Sequence, residues 1–419
     1  MPGGRKPNQW VMVILALIPM LMVLGNAVLI PGLPQMQSRM HVSAMQVSLL
    51  ITLFSVPAGV VIPIAGFLSD QVQRRFVIVP ALLLFGAGGV LAGCAAWFLP
   101  NPYVWVLAGR VLQGMGASGT APIAMAVVGD LFSGDARSRA LGINEAGNAL
   151  GKVISPIVGS AVAAIAWFAV FFIFPVLCLP VAAAIWWLIP EPAKDRQGQP
   201  LGQYIRSLKE VLHRDGRWLW VAYLCGAAGL FTLFGILFDL SELLETQYHM
   251  MGMRKGLVLA IPLLVLCSTA LVAGIVIKKR KPLMKWMVIG GFAVLAAALC
   301  AAPLTGRSGW WLVAFSAVGA LGIGCVLPSL NMFITSAVDK SRRGVVTSLY
   351  GSVRFLGVAA GPPAFTWMRN LSPAFMFFAV AALAVVCAVL VLSLFHVPAD
   401  EPAKEPRPER PKGRIRARA

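Results

Sequence analysis

From Phe76 to Gly109, 34 consecutive residues carry no charged side chain, and the 38 from Val153 to Pro190 carry none either. Runs of that length have no place in a water-soluble fold, where many residues must meet solvent and charged side chains cover the outside. Composition extends the point to the whole chain: 58% of its residues are hydrophobic and 12% charged, about half the charged share of an ordinary soluble protein. A soluble enzyme, a disordered chain and a disulfide scaffold are disfavoured together. The reading is an all-α integral membrane protein.

A helix crosses ~30 Å of hydrocarbon in about 20 residues. On that rule the chain predicts twelve transmembrane helices, at 10–33, 45–68, 76–99, 103–130, 140–163, 168–190, 218–243, 256–277, 286–306, 309–336, 344–368 and 373–396. Pro100-Asn101-Pro102 divides the first long run, and residues 164–167 divide the second. Ser43-Ala44-Met45-Gln46 fits a capping box at the start of the second span. The organisation is a short segment 1–9, a six-helix bundle 10–190, a linker 191–217, a second six-helix bundle 218–396 and a basic, proline-rich tail 397–419 expected to be disordered. In the linker Leu201, Tyr204, Ile205, Leu208, Val211 and Leu212 follow helical spacing. They read either as an amphipathic helix on the membrane surface or as a solvated connection.

Lys and Arg number 35 against 16 Asp and Glu. A nucleic-acid binder would gather them on one water-facing domain; here they fall in short segments between apolar runs. With the N-terminus inside, inner segments hold 27 basic residues and outer ones five (Arg39, Arg254, Lys255, Arg307, Arg369), and three lie within spans. The positive-inside rule therefore puts both termini in the cytoplasm, and a bacterial plasma membrane is the expected host. The seven cysteines all lie within apolar runs with no C-x-x-C pair, so neither disulfides nor a metal site are expected. The segment AGNALGKV is one residue short of a phosphate loop, and Val153 follows Lys152, so no nucleotide is expected.

Sliding the chain along itself by 206 residues superposes Gly116 on Gly322, Pro122 on Pro328, Arg137 on Arg343, Gly151 on Gly357 and Pro156 on Pro362. Six spans per repeat is an even number, so both halves enter the membrane the same way round. Parallel repeats of this kind place a transport site near the midplane between the halves.

Three motifs then stand in matching places: GFLSDQVQRR after span two (Gly66, Asp70, Arg74, Arg75), RVLQGMGAS in span four (Arg110, Gln113, Gly114, Gly116) and GKVISPIVGS in span five. On these the chain, over 10–396, resembles the major facilitator superfamily, in particular its twelve-span drug:proton antiporter branch. Gln71 and Gln73 depart from the loop signature, and Ser155 and Ser160 replace two glycines of the antiporter signature. The resemblance implies proton-coupled efflux of a small molecule by alternating access, with no cofactor beyond the proton gradient and with membrane lipid as the surroundings of a monomer. It implies a cytoplasmic latch at Asp70, which Asp130 could join, and a part for Arg110 in proton release. Gly147, Gly151, Ser155 and Gly159 recur every four residues, followed by Pro156 within the motif. That stripe reads either as a seal on the cavity or as a plain helix contact.

Charges inside a membrane are expensive and normally face a cavity or a partner. Lys152 in span five and Arg354 in span eleven lie near mid-depth, and the repeat superposes Asn148 on Arg354. A positively walled cavity for an anionic or zwitterionic cargo is one reading, and neutralisation of Lys152 by Glu145 is the other. Asn26, Asn331 and Tyr350 are further candidates for the lining. Glu145, Asp239 and Glu242 are the carboxylates that could carry a proton. No nucleophile–base pair or metal-ligand cluster suggests an enzyme. The segment GILFDLSELLE in span seven also resembles siderophore and opine-metallophore exporters, which gives a second cargo reading. A lipid flippase or a uniporter of the same architecture is the competing class.

Overall fold

The computed structural model describes residues 9–189, 200, 202, 206, 210, 216–277, 280–305, 309–337 and 343–395. The tail and the six apolar positions of the expected linker helix lie outside them. Among the described residues, fourteen α-helices longer than one turn make up the two bundles. The first half holds α1 (Gln9–Ala27), α2 (Leu33–Met40), α3 (Ala44–Gln71), α4 (Arg75–Phe98), α5 (Tyr103–Ser118), α6 (Ala121–Leu131), α7 (Gly134–Ile165) and α8 (Ile173–Leu188). The second holds α9 (Arg217–Thr246), α10 (Gly252–Ile277), α11 (Lys281–Ala301), α12 (Gly309–Ala337), α13 (Arg343–Leu371) and α14 (Pro373–Leu394).

Among the described residues, eleven segments are long and apolar enough to cross a membrane. The twelfth crossing is α13, which 29 residues make ~44 Å long at 1.5 Å per residue, more than a bilayer core needs. Arg354 and a set of Gly, Ser and Thr residues lower its hydropathy, as expected of a helix that faces a polar space on one side. The first crossing is longer than the sequence predicts. After α1 the chain tightens into a 3₁₀ turn, Ile30–Gly32, and continues through α2 until His41, at φ 54°, ends it. The fourth crossing is broken at Gly119–Thr120 between α5 and α6. The capping box forms as predicted: Gln46 N–H donates to Ser43 Oγ at 3.1 Å and Ser43 N–H to Gln46 Oε1 at 2.8 Å.

Packing reproduces the repeat. The pairs α1–α7, α4–α5, α3–α5 and α4–α8 of the first bundle recur as α9–α13, α11–α12, α10–α12 and α11–α14 in the second. The correspondence reaches single residues: Gly116 backs onto the backbone of Phe85, and Gly322 onto that of Gly291, the same two positions after the 206-residue shift. Where α1 meets α7, Gly147 abuts the Ala16 carbonyl, Gly151 that of Met20 and Gly159 that of Val28. All three pairs are 131 residues apart, so the two helices run parallel and in register. The four-residue stripe is therefore a contact inside one bundle, between α1 and α7. Between α9 and α13, Gly357 against Ala227 and Gly361 against Phe231 repeat the arrangement.

The bundles meet along α3–α13 and α7–α10, and where α9 touches the 3₁₀ turn and α2. Arg74, Arg75 and Arg280 mark one face of the molecule, here the basic face; the opposite one is the far face.

Candidate functional site

On α7, Asn144, Asn148 and Lys152 follow one another at intervals of one helical turn, on the side between the α1 contact and the α10 contact. Arg354 occupies the equivalent place on α13. Lys152 lies within electrostatic range of Glu145 on its own helix and of Cys267 and Arg354 in the other bundle. Both cations are half-buried, and among the described residues neither forms an ion pair. Glu145 is exposed and makes no direct pair with Lys152. Arg354 rests 5.3 Å above the Tyr350 ring, which in turn stacks on Tyr223 at 6.1 Å. The sequence-predicted cluster of Asn148, Lys152, Arg354 and Tyr350 is thus brought together. Asn331 is exposed on α12, and its recorded bond is a backbone one, to Thr335.

Asn26 belongs elsewhere. Arg110 is fully buried, donating from Nη2 to Asn26 Oδ1 at 2.6 Å, from Nη1 to Gln113 Oε1 at 2.7 Å and from Nε to the Leu50 carbonyl at 2.9 Å. The Asn26 amide continues to Ser55 Oγ at 2.7 Å, and the guanidinium lies 4.4 Å over Phe54. A buried cation is tolerated only when its donors are satisfied, and here neutral acceptors do this without a carboxylate. Asn26, 4% exposed, is a structural partner of Arg110 and not part of the cargo lining. Both residues were visible in the sequence, but their bond across 84 positions was not.

At the far face the carboxylates expected to titrate are already engaged. Arg369 donates to Asp239 at 3.2 Å and to Glu242 at 2.7 Å. Asp239 is buried, 3% exposed. Lys255, read from sequence as an outer-loop cation, is 1% exposed. Its ammonium donates to Glu245 at 2.6 Å and, across the bundle boundary, to the Pro31 carbonyl at 2.7 Å. Beside it, Ser241 donates to the Ile30 carbonyl at 2.8 Å. Sequence reasoning missed this closure because the acceptors are backbone carbonyls of a 3₁₀ turn that no motif announces. Replacing Lys255 with Met would leave a buried carbonyl and carboxylate unpartnered. In a cysteine-free chain spin-labelled at Arg39 and Arg254, exposed far-face positions of the two bundles, that change is expected to add a longer-distance population. An unaltered distance distribution would show that Lys255 does not hold this face shut.

At the basic face, Arg74 pairs with Asp130 at 2.6 Å, both mostly buried, while Asp70, 67% exposed, lies 3.8 Å from Arg74. The strong ionic contact of the loop motif is therefore Arg74–Asp130, inside one bundle. Arg75 lies 5.3 Å over Trp186. Gly66 sits against Ser348 of α13. Pro156 and Ser160 of the antiporter motif face Gly256 of α10 across the boundary.

Comparison with known proteins agrees with this architecture. Residues 15–362 match the profile of the Major Facilitator Superfamily. The chain belongs to that superfamily. A bacillibactin exporter of Bacillus subtilis (strain 168) is 40% identical over 399 residues, covering 93% of this chain and 97% of the relative. A multidrug transporter protein of the same organism is 37% identical over 125 residues, 30% of this chain and 22% of its own. Among solved structures, a bacterial homolog of the human lysosomal transporter Spinster, in an inward-facing and occupied conformation, superposes with a TM-score of 0.72. It is 18% identical and covers 93% of this chain and 97% of its own. In major facilitator terms, the bundles are the two halves of a multi-pass membrane transporter, with Lys152 on one and Arg354 on the other.

Proposed function

We propose that this transporter exports an anionic small molecule of the siderophore class across a bacterial plasma membrane, with the basic face in the cytoplasm. The observation that carries the reading is the pair of half-buried cations, Lys152 and Arg354, held on equivalent helices without ion-pair partners among the described residues. Two unneutralised charges of one sign in a weakly polar space repel each other, and an anion between them offsets both. A lipophilic cation is repelled by the same pair. The relative named as a bacillibactin exporter, aligned over nearly the whole chain, supports a siderophore over a broad drug range.

The far-face contacts of Lys255 and Ser241 close that side, so this arrangement receives cargo from the basic face. Export then requires those contacts to part while the bundles rock about α3–α13 and α7–α10. The proton gradient supplies the drive, without bound nucleotide or cofactor. Glu145 is the favoured proton carrier, because its charge is felt by Lys152, whereas Asp239 and Glu242 are committed to Arg369. In inside-out vesicles carrying a pH gradient, the wild type is expected to accumulate a radiolabelled catecholate siderophore. Glu145→Gln should remove the dependence on the gradient, and Asp239→Asn and Glu242→Gln should keep it. Gradient dependence retained in all three would place the carrier elsewhere, and flux that never runs uphill would mark a uniporter.

A further inference from the structure

Among the described residues, the buried polar atoms with no hydrogen-bond partner include Asn144 Oδ1 and Asn148 Oδ1 on α7, and Tyr350 Oη and Arg354 Nε on α13. Such orphans are rare in folded proteins and each calls for an explanation. These four form two pairs under the 206-residue repeat, Asn144 with Tyr350 and Asn148 with Arg354. The unpaired groups therefore occupy the same two levels of the same helix in each half. Asn144 is 3% exposed and Tyr350 2%, so bulk water does not satisfy them.

The donor and acceptor inventory is specific. Arg354 Nε and Lys152 Nζ donate only, the Tyr350 hydroxyl does either, and the two asparagine oxygens accept only. A simple carboxylate or inorganic anion would satisfy the donors and leave both asparagine oxygens orphaned. The complement is a molecule with an anionic group beside hydroxyl or N–H donors. We infer that Asn144 and Tyr350 are specificity-determining residues that select hydroxyl-bearing anions over plain ones. The inference rests on the anion-export reading above and adds to it a level one helical turn from Arg354 and two from Lys152. There Asn144 accepts from a cargo hydroxyl and Tyr350 engages it from the opposite half. An amide oxygen left without a donor is penalised more than a bond gained is rewarded, so the preference arises largely by rejection of the plain anion.

The test uses the full chain in lipid nanodiscs and two probes, benzoate and 3,4-dihydroxybenzoate, with binding measured calorimetrically. The wild type is expected to bind the dihydroxy compound about tenfold more tightly. Tyr350→Phe and Asn144→Leu should each bring that ratio to about threefold or below, and Asn144→Ser serves if the leucine variant is not monodisperse. Lys152→Met should weaken both probes and leave the ratio near ten. Equal wild-type affinities, no binding of either probe, or a tenfold ratio that survives Tyr350→Phe and the Asn144 variants would overturn the assignment. If Lys152→Met leaves both affinities unchanged, the anion reading itself fails. If it weakens both while the Asn144 and Tyr350 variants keep the ratio, only the present inference fails.

Discussion

Lys152→Ala and Arg354→Ala are each expected to lower transport of an anionic cargo about 100-fold, while leaving a folded, monodisperse protein in the membrane. The size of the effect follows from the setting. A charge pair at ~4 Å in surroundings of effective dielectric ~20 is worth about 4 kcal/mol before desolvation is subtracted. Each side chain is half-buried and carries no ion pair that its loss would strand. Stability should therefore change little, and removing one of two repelling cations could even raise it. Initial rates of siderophore accumulation in inside-out vesicles, read beside melting temperature, separate the two effects. Unchanged transport in both variants would defeat the charged cavity. A pairwise check is available in Lys152→Glu, which should abolish anion flux more completely than Lys152→Ala, because it adds repulsion as well as removing attraction.

The largest effect on folding is expected at Gly159. A Cβ there would overlap the Val28 carbonyl oxygen, which belongs to the turn where α1 gives way to its 3₁₀ segment. The overlap is with backbone, and both chains are fixed by the register that Gly147 and Gly151 share with α1, so no side-chain rotation relieves it. Overpacking a well-filled interior costs about 1–3 kcal/mol and more where backbone must move. Gly159→Leu is therefore expected to lower the melting temperature by roughly 10 °C or to prevent recovery of folded protein. Gly142→Ala, on the same helix with open space around it, should be silent. A Gly159→Leu protein with wild-type melting behaviour would contradict the packing described for α1 and α7.

Much of this was legible in the chain itself, and the exceptions share a cause. Apolar runs announce the crossings, and Gly and Pro positions announce the repeat, because both are local properties that survive without knowledge of neighbours. The shift of 206 that pairs Gly116 with Gly322 also pairs Asn144 with Tyr350. Asn144 was therefore within reach of the sequence, but as an amide beside a phenol it gives no match to notice. Arg110 and Asn26 stand out singly, yet which acceptor a buried guanidinium finds depends on how α1, α3 and α5 cross. Lys255 read as a loop cation because charge at a span end ordinarily reaches water. Its burial involves the 3₁₀ turn Ile30–Gly32, which follows α1 without a break in the apolar run. Backbone carbonyls, such as that of Pro31, leave no trace in residue identity at all.

The central claim is that Lys152 and Arg354 share one aqueous space that is open to the basic face and closed at the far face. Thiol accessibility tests it most directly. In a chain freed of its seven cysteines, Lys152→Cys and Arg354→Cys would be labelled with a charged, membrane-impermeant thiol reagent, in inside-out and right-side-out vesicles. Rapid labelling of both positions from the cytoplasmic side and slow labelling from outside, with protection by bound siderophore, is the predicted result. Positions that resist the reagent from both sides while reacting with a lipid-soluble one would show the two cations facing lipid, and would contradict it.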